Sequence, residues 1–247
     1  MEGMPMTTPP RLPADAALFL DFDGCLVEIA PTPDAVVIPD DLPGLLDRIH
    51  RRQGGAVALI SGREVADLRR FLPGFPGGVA GSHGAELALP GREAEAGDAQ
   101  GLDVAALHAR ARDLAALHDG LMVEPKAHGV VLHYRAVPER AEWVAGAMAE
   151  LAGDYPMLAL QPAKMAFELR PADAGKDRAL ARLMELPEFA GRLPVYAGDD
   201  LTDEAGMAEA QKRGGFGIKI GEGQSCARHR LADPGALRSW LDSACRS

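Results

Sequence analysis

Two short apolar runs, far apart in the chain, each break off in a pair of acids. Ala16-Ala17-Leu18-Phe19-Leu20 runs into Asp21-Phe22-Asp23-Gly24, and the run from Leu193 to Ala197 into Gly198-Asp199-Asp200. A continuous apolar run of this length suits a strand buried on both faces, as in a parallel sheet. In a doubly wound sheet the carboxyl ends of the strands line the binding crevice. The two acid pairs therefore converge on one place. Such acids repel one another unless a hard cation with oxygen ligands offsets them, and Mg²⁺ is the natural occupant. Plainer readings stand beside this one. Asp21 to Gly24 alone also suits an ordinary turn. Thr202 with Asp203 and Glu204 suits a helix start, which leaves Asp199 and Asp200 unexplained.

The elements around these runs follow an alternating order. Leu42 to Gln53 reads as an amphipathic helix closed by Gly54-Gly55, and Ala56 to Ile60 as a second buried strand ending in Ser61-Gly62-Arg63. A helix and a strand near Val79-Ala80 follow. This alternation predicts an α/β core, doubly wound around a mostly parallel sheet. Gly91 to Gly101 reads as a linker or exposed hairpin. Helices over Leu102–His118 and Pro138–Ala152 then alternate with strand pairs at Leu121–Pro125 and Gly129–Arg135, and at Met157–Gln161 and Lys164–Arg170. This αββαββ block reads as a small α+β domain inserted into the core. The expected boundaries are 1–101 and 173–247 for the core and 102–172 for the insert. Residues 1–13 read as a loose, Pro-rich lead-in.

Composition removes several classes of function. The formal net charge of -10 argues against non-specific nucleic-acid binding. The run Ala16 to Leu20 is too short to span a membrane. Cys25, Cys226 and Cys245 form neither a disulfide framework nor a CxxC metal site, which fits a reducing cytoplasm.

Ser61, at a strand–helix junction, offers a hydroxyl and nearby backbone N–H groups to a phosphoryl oxygen, though helix capping suits it too. Lys176 starts a core helix after Gly175, where a lone lysine is ordinarily just solvated. In this order, the two acid clusters, Ser61 and Lys176 resemble the haloacid dehalogenase (HAD) phosphatase superfamily. The resemblance spans the chain after the lead-in. Longer strings narrow it to the trehalose-6-phosphate phosphatase family: Gly81-Ser82-His83-Gly84-Ala85-Glu86, Glu124-Pro125-Lys126, His133-Tyr134-Arg135 and Glu168-Leu169-Arg170-Pro171. Cys25 stands where that family usually has Thr, and Asp177 where Gly is common.

The resemblance implies a HAD-like Rossmannoid core with a cap of the type called C2. It implies Asp21 as nucleophile, Asp23 as general acid and base, and Ser61 and Lys176 as phosphoryl ligands. It places Mg²⁺ on Asp21, the backbone carbonyl of Asp23, and Asp199, with Asp200 and Asp203 in support. Gly62 and Arg63, beside Ser61, are expected to bind substrate. His83 is either a hydrogen-bonding partner of substrate or cap, or a satisfied histidine in a tight turn. The resemblance implies hydrolysis of a small sugar phosphate, trehalose 6-phosphate, to trehalose and phosphate through an aspartyl-phosphate, with functional coupling to a trehalose-6-phosphate synthase.

Alternation gives a separate argument about the insert. It puts Lys164, Ala166, Glu168 and Arg170 on one strand face, opposite Met165, Phe167 and Leu169. Glu124 is paired in direction with Lys126, and His133 with Arg135. One sheet face is then apolar under the two helices, and the other charged and bare. An ordinary solvated face is one reading. The mixture of Glu, His, Lys and Arg also suits sugar hydroxyls and a phosphate. On that reading Glu124, Lys126, His133, Arg135, Lys164, Glu168 and Arg170 recognise the sugar, and the polar cap closes over the acidic core. Rival functions are a HAD phosphatase for another sugar phosphate (sucrose or glycosylglycerate phosphate), a sugar phosphomutase, and a non-catalytic sugar-phosphate sensor. The HYR and ELRP strings argue against the first. The intact acid pairs argue against the last.

Overall fold

β1 (Ala16–Leu20) lies inside the larger sheet, and all five of its residues are buried. The structure is a computed structural model that describes residues 7–91, 95–96, 102–163 and 165–246. Two compact units emerge, residues 1–95 with 175–247, and residues 96–174. The expected boundaries lay at 101/102 and 172/173. Of the expected linker, only Gly91 and residues 95–96 lie among the described residues.

In the core unit, α1 (Leu42–Arg52) follows β1 and buries Leu42, Leu45, Leu46 and Ile49, a spacing that marks one helix face. The chain leaves it through Gly54 and Gly55, with φ of 58° and 94°, values that suit glycine. Then come β2 (Val57–Ile60), α2 (Val65–Phe71), β3 (Gly78–Gly81), β4 (Glu86–Ala88) and β5 (Glu95–Ala96). In the inserted unit α3 (Val104–Ala115), β6 (Met122–Lys126), β7 (Gly129–His133), α4 (Ala141–Gly153), β8 (Leu158–Ala163) and β9 (Ala166–Pro171) follow in the expected order. The core resumes with α5 (Lys176–Leu183), β10 (Leu193–Gly198), α6 (Asp203–Lys212), β11 (Phe216–Ile220), β12 (His229–Leu231) and α7 (Pro234–Cys245).

The core sheet runs β12-β11-β10-β1-β2-β3-β4-β5. Pairing is parallel from β12 through to β3, and β4 returns antiparallel beside β3. The chain winds away from β1 to one side through β2 and β3, and from β10 to the other through β11 and β12. The boundary of β1 and β10 is therefore the switch point. There Leu20 pairs with Ala197, and the N–H of Asp21 donates to the Ala197 carbonyl at 2.9 Å. No helix among the described residues is long and apolar enough to cross a membrane.

Residues 7–13, the described part of the lead-in, depart from the expected looseness. Leu12 is buried in the core cluster. Gln53 Nε2 donates to the carbonyls of Pro13 and Ala16, both at 2.9 Å, and Trp240 Nε1 donates to that of Pro10. Prolines that would suit a loose leader here follow a packed surface path.

In the inserted unit the antiparallel sheet runs β6-β7-β9-β8. Its apolar face carries Val130, Leu132, Leu158 and Leu169, packed with Leu107, Ala111, Val144, Met148 and Leu151 from α3 and α4. Two expectations need correction. β7 ends at His133, and the chain turns as the N–H of Val137 donates to Tyr134 O. Arg135 is therefore exposed in a turn and does not share the strand direction of His133. Met165 has φ 58° in the turn before β9, so it lies outside the strand alternation. Lys164 lies outside the described residues.

Candidate active site

The core site is built on the ends of β1 and β10 and on the start of α5. Asp21 Oδ1 lies 3.1 Å from Lys176 Nζ, and both side chains are buried. Lys176 also donates to Asp203 Oδ1 at 2.6 Å. Asp203 is fully buried and receives three further donors. Tyr196 OH reaches its Oδ1 at 2.8 Å, and the N–H groups of Asp199 and Asp200 reach its Oδ2 at 3.0 and 3.1 Å. Asp200 turns the other way. Its Oδ1 accepts from the N–H and hydroxyl of Thr202 and from the N–H of Asp203. The helix start is thus capped by Asp200, and Thr202 makes no side-chain cap of its own.

Electrostatics follow from this crowding. Burial, aided by Asp203, holds the Asp21 carboxyl well above the ordinary range, while Lys176 pulls it back. Burial and then Asp203 and Asp200 push Asp199 up to about 6. Burial would lower Lys176, but Asp21, Asp203 and Asp200 together outweigh it and raise it. One ammonium serves several carboxylates, so it stays charged while the acids retain excess negative charge.

A divalent cation fits this excess. Asp21, Asp199 and Asp203 each offer a carboxylate oxygen, all within 4.8 Å of one another. Both oxygens of Asp203 are already engaged, which leaves Asp21 and Asp199 to meet a cation. The Asp199 carboxylate lies against the backbone at Gly24, where an added Cβ would stand 2.1 Å from its Oδ2. That contact brings Asp199 beside the chain that carries the Asp23 carbonyl. The donors are hard oxygens of the kind divalent cations take.

Asp23 is half-buried, with 33% of its side chain exposed, and its carboxylate is held in place. Arg63 grips both its oxygens, Nε to Oδ2 at 2.6 Å and Nη2 to Oδ1 at 2.8 Å. The guanidinium also donates to the Pro33 carbonyl and lies over the rings of Phe22 and Phe71. Arg63, expected to meet substrate, pairs with Asp23 in this structure. Ser61 is buried, and its Oγ accepts from the N–H of Arg63 at 3.3 Å, so it does not cap α2. Glu86 takes that task from across the sheet, its Oε2 accepting from the N–H of Val65. His83 lies at Gly62, its ring filling the space a Cβ there would need. Asp177 is the second residue of α5 and contributes an acid to its first turn.

Sequence reasoning passed over two buried polar groups here. Tyr196 was hidden in an apolar strand. Lys219, buried in β11, donates to the Asp199 carbonyl. A lysine inside Phe216–Ile220 was the available signal. Cys25, buried behind Asp21, donates its thiol to the Ala197 carbonyl at 3.3 Å, and burial raises its pKa.

The inserted unit gathers most of its expected residues on one sheet face. The register sets Glu124 opposite Val131, Val131 opposite Glu168, and Glu168 opposite Gln161. Glu124 Oε1 takes Lys126 at 2.6 Å, and its Oε2 takes His133 Nε2 at 2.8 Å. The hydrogen bond from His133, and then Lys126, holds Glu124 down at about 2. Arg170 donates from Nε and Nη2 to Gln161 Oε1. Burial raises Glu168 despite Lys126 and Arg170. The face is less bare than expected, because Val131 and Ala166 are buried and the polar groups bond to one another.

Known proteins match along nearly the whole chain. The family model described as trehalose-phosphatase matches residues 19–235. The chain is 37% identical over 242 residues to trehalose-6-phosphate phosphatase of Escherichia coli (strain K12), covering 96% of this chain and 90% of that one. It is 34% identical to the bifunctional trehalose-6-phosphate synthase/phosphatase of Thermoproteus tenax, covering 91% of this chain and 31% of that protein. A crystal structure of a trehalose-6-phosphate phosphatase related protein superposes with a TM-score of 0.78 at 25% identity, covering 93% and 96% of the two chains. With the fold of HAD-like hydrolases and these matches together, the chain belongs to the trehalose-phosphatase family of phosphatases.

Proposed function

We propose that this protein hydrolyses trehalose 6-phosphate to trehalose and phosphate, with Mg²⁺ as its cofactor and the cytoplasm as its site of action. The observation that carries the reading is the buried Asp21 at the switch point, 3.1 Å from Lys176 and grouped with Asp199. Asp21 attacks phosphorus, the bond from phosphorus to O6 of the sugar breaks, and an aspartyl-phosphate forms. Asp23 gives its proton to the departing O6, then takes one from the water that hydrolyses the acyl phosphate. Arg63, by gripping both oxygens of Asp23, sets where that carboxyl rests between turnovers. Ser61 and Lys176 meet the phosphoryl oxygens, and Asp203 keeps Lys176 aimed. When bound by Asp21, Asp199 and the Asp23 carbonyl, Mg²⁺ supplies charge that offsets repulsion between carboxylate and phosphate.

The polar sheet face of the inserted unit is assigned to the sugar, with Glu124, Lys126, His133, Glu168 and Arg170 as its groups. Lys164 and Arg135 remain sequence-based assignments to the same task. Functional coupling to a synthase is supported by the Thermoproteus tenax relative, which carries both activities in its name. The test is phosphate release across a panel of trehalose 6-phosphate, sucrose 6-phosphate, a glycosylglycerate phosphate and p-nitrophenyl phosphate. Trehalose 6-phosphate should show the highest kcat/KM. Equal efficiency on the other sugar phosphates would replace the substrate assignment, and return of phosphate to the sugar would indicate a mutase.

A further inference from the structure

The turn from Gly81 to Glu86 is strained in a way its own hydrogen bonds do not require. Ser82, His83 and Gly84 follow one another with φ of 49°, 56° and 97°. Left-handed backbone is easy for glycine but costly for Ser and His, and such strain persists only where the surroundings fix it. Two surroundings do so. On one side the turn is bonded to the loop that carries Ser61. The N–H of Ser82 donates to Arg63 O at 2.7 Å, and that of His83 to Ser61 O at 2.9 Å. Glu86 ties the same two segments, accepting from Ser82 Oγ at 2.6 Å and from the N–H of Val65 at 3.1 Å. On the other side the turn sits on the start of α5. A Cβ at Gly84 would lie 2.8 Å from Ala179 Cβ and 3.0 Å from Gly175 O. Lys176 is the first residue of that helix.

Gly62 supplies an independent observation. Its φ is not in the left-handed region, so the backbone does not call for glycine there. A Cβ would stand 2.7 Å from both Cε1 and Nε2 of His83. The residue between Ser61 and Arg63 is thus small because an imidazole occupies the space.

We propose that the Gly81–Glu86 turn is a template that fixes the Ser61–Arg63 loop relative to Lys176, with His83 as its positioning residue acting through Gly62. The strained backbone delivers the ring onto Gly62, and the ring fixes the loop from which Ser61 meets the phosphoryl group. This rests on the phosphatase reading of Ser61 and Lys176. It also gives the His83 string a task in the core, apart from sugar recognition.

The test is a double-mutant cycle of wild type, Gly62→Ala, His83→Ala and the double mutant. kcat and KM, inhibition by inorganic phosphate, and Mg²⁺ affinity by calorimetry are read on each. A misplaced loop should lower kcat in Gly62→Ala by about 100-fold, the cost of misplacing a reacting group by about 1 Å. His83→Ala should lose less, roughly ten-fold, because the loop keeps its backbone bonds. The double mutant should be no worse than His83→Ala, since the added methyl then enters vacated space. Weaker inhibition by phosphate should accompany the losses, while Mg²⁺ affinity stays level because Asp21 and Asp199 are not touched. Losses that simply multiply in the double mutant would overturn the inference, as would an equal fall in Mg²⁺ affinity. Should Gly62→Ala fail to fold, the double mutant must fold, and its failure too would overturn the inference. If wild type hydrolyses p-nitrophenyl phosphate but not trehalose 6-phosphate, the substrate reading fails. The same cycle on p-nitrophenyl phosphate still decides the role of His83.

Discussion

Asp203 holds Lys176, Nζ to Oδ1 at 2.6 Å, and has no exposed surface of its own. Its four donors make it the keystone of the acid cluster, although it lies a full loop beyond the strand end. Asp203→Ala would leave a buried phenol and two N–H groups without their acceptor, and the buried Lys176 ammonium with Asp21 alone of its two carboxylate partners. Breaking a buried pair in this way costs about 3–5 kcal/mol. Asp203→Ala should therefore unfold at clearly lower denaturant than wild type and lose activity. Tyr196→Phe removes one neutral donor and should cost about 1 kcal/mol with activity retained. Equal stability of Asp203→Ala and wild type would contradict this account of the cluster.

A second prediction follows from Asp199, held up at about 6 by burial and neighbouring acids. The folded state binds its proton more tightly than the unfolded chain does. In metal-free protein this group therefore favours folding least above about pH 6, and its destabilising effect grows as pH rises from about 4 to 6. A divalent cation needs the ionised carboxylate, so its binding releases a proton. The rise in Tm on adding Mg²⁺ should be larger at pH 7.5 than at pH 5. The same rise at both pH values would mean that Asp199 is not a cation ligand. Glu124 behaves oppositely. Held at about 2, it contributes stability above its ordinary range that fades as pH falls toward 2.

Much of this arrangement was legible from strand ends. A continuous apolar run that stops at an acid places both the strand and the acid, which is why Asp21 and Asp199 could be located. The shared face of Glu124, Lys126 and Glu168 followed from alternation. What alternation could not show was where a strand stops. Arg135 left the face because β7 ends at His133, and Met165 because it enters a left-handed turn. Partners distant in sequence were also hidden. That Arg63 would grip Asp23 depends on the β1–β2 pairing, and that Glu86 would cap α2 depends on the β2–β3 and β3–β4 pairings, which no local pattern encodes.

The grip of Arg63 on Asp23 gives a third prediction. Its planar fork meets both carboxylate oxygens and stacks on Phe22 and Phe71, which a lysine ammonium cannot do. Arg63→Lys should lower kcat by about 10²-fold, within the range general acid–base help supplies, with a smaller change in KM. A rise in KM at unchanged kcat would show that Arg63 serves binding instead.

The inserted sheet gives a fourth. Glu168→Ala should strongly reduce kcat/KM on trehalose 6-phosphate and leave slow hydrolysis of p-nitrophenyl phosphate far less affected, because that substrate has no sugar hydroxyls. Phe167, packed with the apolar cluster and in tilted ring contact with Tyr134 with centroids 5.9 Å apart, provides the contrast. Phe167→Leu should lower Tm by cavity formation and leave substrate choice unchanged. Equal losses on both substrates for a folded Glu168→Ala would remove this face from sugar recognition.

The most direct measurement is single-turnover mixing of wild type and Asp21→Asn with trehalose 6-phosphate and Mg²⁺, followed by acid quench and mass analysis of the phosphorylated peptide. Wild type should carry a transient phosphate on Asp21 and release free phosphate and trehalose in equal amounts. Asp21→Asn should still bind substrate, yet carry no phosphate and release none. Phosphate release by Asp21→Asn near the wild-type rate, or a phosphate found on another residue, would contradict the assignment of Asp21 as nucleophile.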